Sequence, residues 1–148
     1  MLHADLRSSH TAATRIRALV IDRDEAGRAS MARVLRDAGF ETMAAHDGFE
    51  GCELVLESGP PDIVVMDESM PGMSGHDFSR WLRQRHARVK VLYLAGYADP
   101  MYCDRGRLWE DEGYLDKPCT ARGLLQGVSL LLFRRLDADL ICRPSAGL

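Results

Sequence analysis

Two four-residue runs, Ala18-Leu19-Val20-Ile21 and Ile63-Val64-Val65-Met66, are apolar at consecutive positions rather than alternating ones. A strand built that way needs cover on both faces, which points to a parallel sheet between two layers of helix. The rest of the chain supplies those layers. Met31, Val34, Leu35 and Ala38 fall at the i, i+3, i+4, i+7 spacing of one buried helical stripe, and Gly39 follows where a helix end is expected. Phe78, Trp81 and Leu82 form a second stripe and are read as core. Strands are expected at 17–21, 40–44, 63–66, 89–94 and 113–115. Helices are expected at 25–38, 48–57, 75–85, 100–110 and 120–136. Five repeats of strand then helix predict a doubly wound α/β domain. Right-handed crossovers then bring all five strand C-termini to one edge.

Local chemistry refines this. The 40–44 strand is short and part polar, as an edge strand would be. The 100–110 helix contains Gly106 and has weak propensity, so it is expected to be the least stable. Thr120 is placed to cap the last helix. That helix carries Leu124, Leu125, Val128, Leu130, Leu131, Leu132, Phe133 and Leu136, more than one stripe can hold. Its second face needs a cover. A homodimer through this fifth helix is the favoured one, and Leu140-Ile141 folding back is the other.

One domain suits 148 residues, with 1–15 as a mobile leader, 16–136 as the domain and 137–148 as a tail. A net charge of −3 gives no general attraction to nucleic acid or anionic lipid. No apolar run spans a bilayer, and the N-terminus lacks the apolar core of a secretion signal, so no membrane partner and a cytoplasmic location are expected. Cys52, Cys103, Cys119 and Cys142 make no Cys-x-x-Cys pair and are read as reduced, small hydrophobes. His3, His10, His46, His76 and His86 form no zinc pattern and are read as solvated surface residues.

Chemistry is expected at the strand ends. Asp22 closes the first of the two apolar runs, and Asp67 closes the second, just before the turn-forming Glu-Ser-Met-Pro-Gly-Met-Ser-Gly. Lys117-Pro118 follows the fifth strand. Two carboxylates and an ammonium are therefore expected around one cup at the sheet mouth, where α/β folds place their sites.

Several blocks, in order, match a known pattern. They are Leu-Val-Ile-Asp22 with Arg28 six residues on; Ala45-His46-Asp47-Gly48; and Asp62-Ile-Val-Val-Met-Asp67 with Met70-Pro71-Gly72-Met73-Ser74-Gly75. Val91-Leu-Tyr-Leu-Ala-Gly-Tyr97 and Tyr114-Leu115-Asp116-Lys117-Pro118 complete the set. Over residues 17–136 the chain resembles the receiver domains of two-component response regulators, and its fourth-strand segment resembles receivers attached to hybrid histidine kinases. The resemblance implies a flavodoxin-like receiver fold, a five-stranded parallel sheet of order 2-1-3-4-5. It implies that Asp67 is the phosphoacceptor, taking a phosphoryl group from a histidine kinase or histidine phosphotransfer protein, and that Lys117 contacts the phosphate. In the family the bond before Pro118 is cis. Asp22, Asp67 and the carbonyl of Ser69 match the family's Mg2+ ligands, Ala95 the hydroxyl position at the end of strand four, and Tyr114 the aromatic switch.

Two positions depart from that pattern. The family carries two adjacent acids after strand one, whereas here Asp22 is followed by Arg23, which weakens the Mg2+ site and places a rigid guanidinium fork beside it. Asp24 lies past the strand end and is not expected to substitute. At the hydroxyl position Ala95 cannot bond a phosphoryl oxygen, which leaves Tyr114 able to sit inward without phosphate.

Three functions follow. The first is a single-domain, non-enzymatic receiver that accepts phosphate on Asp67 and acts by protein contacts, the tail being too short for an output domain. The second is an atypical pseudo-receiver that binds partners without phosphoryl chemistry. The third is a haloacid-dehalogenase-like phosphatase, because Val-Ile-Asp22-Arg23-Asp24 fits that class's opening. It leaves the Asp67 block unexplained and lacks the late acids and cap of that fold.

Overall fold

The computed structural model describes residues 15–96 and 111–134. The elements run β1 (Arg17–Ile21), α1 (Glu25–Asp37), β2 (Glu41–Ala45), α2 (Gly48–Ser58), β3 (Ile63–Asp67), α3 (Gly75–Arg85), β4 (Lys90–Ala95), β5 (Glu112–Asp116) and α4 (Ala121–Phe133). All strand pairs are parallel and the order is β2-β1-β3-β4-β5, as expected, with β2 at an edge.

The consecutive apolar runs explain the layering. In β3 every residue is buried. Ile63 and Val65 point to one face and Val64 and Met66 to the other, following the two-residue pleat. On the first face, Met31, Val34 and Leu35 of α1 and Leu124, Leu125 and Val128 of α4 pack against Ala18, Val20, Leu92 and Leu94. On the second, Val55 of α2 and Phe78 and Leu82 of α3 pack against Leu19, Ile21, Val91 and Tyr93. Gly51 lets α2 approach closely: a Cβ there would stand 2.8 Å from Ile21 Cδ1 and 3.0 Å from the Phe78 ring. A buried carboxylate ties β5 to this layer. Glu112 accepts from Ser79 Oγ at 3.2 Å and Tyr93 Oη at 3.3 Å, with Arg83 Nε 3.4 Å away.

Side chains set the helix starts. Asp24, Asp47, Ser74 and Thr120 each accept from a backbone N–H in the first turn, at 2.9, 2.8, 3.1 and 3.0 Å. Gly39, at φ 98°, ends the first helical segment in the left-handed region that glycine enters without strain.

The boundaries differ by small amounts from those expected. β2 and β4 start one residue late, and β5 gains a residue at each end. β3 includes Asp67, whose backbone pairs opposite Leu94. The last helix ends at Phe133, because Arg134 turns into the left-handed region at φ 57° while its N–H still donates to the Leu130 carbonyl at 3.0 Å. Leu131 and Leu132 of α4 pack partly on the core, and Leu130 and Phe133 are exposed. The leader up to residue 14, the 100–110 helix, Cys103, Cys142, Leu136 and the tail lie outside the described residues.

Candidate functional site

The strand ends are locked to one another by backbone bonds. The Asp22 N–H donates to Ala45 O at 3.1 Å, Glu68 N–H to Leu94 O at 3.0 Å and Lys117 N–H to Ala95 O at 3.0 Å. This register brings the three predicted groups to one cavity of about 520 Å³, lined by Asp22, Arg23, Asp67, Leu94, Lys117 and Cys119 among others.

Asp67 is 5% exposed. Its Oδ2 pairs with Lys117 Nζ at 2.6 Å, and its Oδ1 accepts from the Ser69 N–H at 3.2 Å. The peptide bond between Lys117 and Pro118 is cis. Asp22 is 6% exposed and is fixed from two sides. Its Oδ1 accepts from the Asp24 N–H at 2.9 Å, and Arg28 donates to its backbone carbonyl at 2.8 Å. Burial pushes the Asp22 carboxyl above the ordinary carboxylate range, with the Asp67 charge adding to it and the Asp24 N–H bond opposing. Burial likewise raises the Cys119 thiol, which marks it as a small hydrophobe rather than a nucleophile.

Arg23 lines the cavity and is exposed, and among the described residues it makes no ion pair. Asp24 caps α1, its carboxylate accepting from the Gly27 N–H at 2.9 Å, a structural use that the phosphatase reading does not assign to it.

The pocket suits a divalent cation poorly. Both Asp67 oxygens and one Asp22 oxygen already have partners, and a guanidinium stands where the family has its second acid. Among the described residues, no group of three or more Asp, Glu, His or Cys is arranged to hold a metal ion.

Ala95 is fully buried, and Tyr114 is half-buried with its hydroxyl directed at Glu68 and His76. These last two residues were not expected at any site. The sequence places His76 among solvated surface histidines, whereas in the structure its ring stacks on Tyr93 with centroids 4.6 Å apart. His46 is exposed as expected and pairs with Asp47 and Glu50. Among the described residues no helix is long and apolar enough to cross a membrane.

Comparison with known proteins bears on these features together. Residues 18–129 match the family described as the response regulator receiver domain. The chain is 34% identical over 125 residues to the response regulator MprA of Mycobacterium ulcerans (strain Agy99), covering 84% of this chain and 53% of that protein. It is 31% identical over 115 residues to the sensor kinase CckA of Brucella abortus (strain 2308), covering 77% of this chain and 12% of that protein. The chain thus spans about half the length of the first of these relatives, and a small part of the second. Among solved structures, the chemotaxis response regulator CheY4 of Vibrio cholerae superposes with a TM-score of 0.71 at 26% identity, over 80% of this chain and 100% of that one. The receiver domain of the hybrid histidine kinase CckA superposes with a TM-score of 0.65 at 26% identity, over 78% of this chain and 98% of that one. Receiver domains of this kind are signalling domains that interact with histidine kinases, and they typically bind Mg2+ at the acidic pocket. Sequence, fold and relatives agree: the chain belongs to the response regulator receiver domain family.

Proposed function

We propose that this receiver accepts a phosphoryl group on Asp67 from a phosphohistidine on a histidine kinase or histidine phosphotransfer protein, and signals through protein contacts in the cytoplasm. The observation that carries this reading is the buried Asp67 carboxylate at the sheet mouth, with Lys117 Nζ 2.6 Å from it. In the transfer, one Asp67 oxygen attacks phosphorus in line and forms the new P–O bond. The P–N bond to the donor imidazole breaks, and its electron pair returns to that nitrogen. Lys117 then shares its charge with the phosphoryl oxygens, and Arg23 is the second cation lining the same cavity. No step is assigned to Mg2+.

The test is incubation of the chain with a phosphohistidine donor, read by intact mass. A gain of one phosphoryl group that is absent in Asp67→Asn is expected. No gain with any donor would overturn the reading.

The second reading, a phosphorylation-independent interaction module, is favoured by one specific pair of residues. Arg23 replaces an acid and Ala95 replaces a hydroxyl, so one Mg2+ ligand and one phosphoryl-oxygen contact of the family pattern are missing. Beryllofluoride separates the two. Amide resonances around Asp67 and Tyr114 that stay in place support the second reading, and resonances that move support the first.

A further inference from the structure

Glu68 is a buried carboxylate for which the phosphotransfer chemistry has no use; it is 5% exposed. It follows Asp67 directly, and the pleat sends its side chain to the face occupied by α3. There one Glu68 oxygen lies 3.1 Å from His76 Nε2, and the other accepts from the Tyr114 hydroxyl at 3.3 Å. His76 Nε2 is also 3.2 Å from the Tyr114 hydroxyl oxygen. A proton on Nε2 serves both of its contacts, because the carboxylate only accepts and the phenol donates its own proton to Glu68. Three residues from three segments therefore close a ring of polar contacts around the tip of Tyr114.

The aromatic rings alone do not fix that tip. Tyr93 stacks on both His76, at 4.6 Å, and Tyr114, at 5.2 Å, but the Tyr93 hydroxyl is held separately by Glu112 at 3.3 Å. Stacking tolerates sliding, whereas the hydrogen bonds to Glu68 and His76 have direction. Ala95 offers no hydroxyl to compete for the phenol.

We propose that Glu68 and His76 are positioning residues that hold Tyr114 in this pose, and that the pose is kept with Asp67 unmodified. Its consequence is that the β5 surface is set before any phosphoryl transfer, so a partner that recognises this pose binds the unmodified chain. The inference does not rest on Asp67 accepting phosphate.

The experiment uses the full chain labelled with 3-fluorotyrosine and no phosphoryl donor. Of its four tyrosines, Tyr114 is assigned by Tyr114→Phe. Glu68→Ala and His76→Ala are each expected to displace the Tyr114 fluorine resonance by more than its linewidth toward the position in the urea-unfolded chain. Glu68→Gln retains an acceptor for the phenol and is expected to leave the resonance in place, as is Asp67→Asn. If Glu68→Ala fails to fold, the half-exposed His76→Ala decides alone. A resonance unmoved in folded Glu68→Ala or in folded His76→Ala, or displaced by Asp67→Asn as far as by His76→Ala, overturns the proposal. Because nothing is phosphorylated in this experiment, its outcome is independent of whether phosphotransfer occurs.

Discussion

At the scale of single residues, the Asp67–Lys117 contact at 2.6 Å ties two strand ends that are 50 positions apart in sequence to one charge balance. Lys117→Ala is expected to leave the Asp67 carboxylate buried without its cation. Removing one member of a fully buried pair costs about 3–5 kcal/mol. Lys117 is 36% exposed, so solvent screening brings the expected loss down to about 1–2 kcal/mol. In an Asp67→Asn background the same substitution is expected to cost almost nothing; a double-mutant cycle in urea measures the difference. Arg23→Asp reverses a charge on the cavity wall. It is expected to tighten Mg2+ binding by at least roughly tenfold in a calorimetric titration, since two charge units beside a divalent ion outweigh about 1.4 kcal/mol even near solvent. An unchanged titration would show that Arg23 points away from the ion's position. Asp22 and Asp67 were legible in the sequence because each sits where an apolar run stops, and Lys117 because Lys117-Pro118 follows the fifth strand. Glu68 and His76 were not, because a lone histidine beside a helix start looks like any surface histidine. The readable signal was parity: one step past Asp67 changes the face of the sheet.

At the scale of elements, the helix starts were easier to foresee than the ends. Thr120 is followed by apolar residues at helical spacing, and its Oγ1 accepts from the Gly123 N–H at 3.0 Å. Thr120→Ala is expected to cost about 1 kcal/mol, read as a lowered urea midpoint with an unchanged slope. The end of α4 was invisible, because Arg134 is no glycine and nothing in its side chain announces a left-handed turn. The excess apolar residues of this helix divide once the sheet is present. Leu124, Leu125 and Val128 fill the core, Leu131 and Leu132 lie along its margin, and Leu130 remains half exposed. That exposure supports the homodimer proposed through α4. Sedimentation velocity of the wild-type chain is expected to show a dimer, and of Leu130→Asp a monomer. Equal coefficients for the two would remove α4 from the interface.

At the scale of the whole molecule, the fold was legible because consecutive apolar residues leave a strand no option but burial on both faces, and β1 and β3 supply them. The exact register was not, since it depends on pairs such as Asp67 opposite Leu94 that no local pattern specifies. Long-range charge was also hidden. Asp111 pairs with Lys90 and has Arg134 at 3.7 Å. The hydrogen bond from Lys90 holds the Asp111 carboxyl below its ordinary value of 3.8, and nearby Arg83 and Arg134 add to that. A lowered folded-state pKa gives stability that is fully present above the unfolded value and is lost as pH falls through the folded one. Asp111→Asn is therefore expected to lower the urea midpoint at pH 7 and to flatten its acid decline below about pH 4. A parallel decline in both proteins would assign the acid sensitivity elsewhere. β3, buried along its whole length, is a septum between two apolar compartments. Close packing of apolar side chains on both of its faces opposes the passage of an ion or a water. What happens in one compartment can reach the other only as a small movement of the wall itself, so the two helical layers communicate mechanically rather than by exchange of matter.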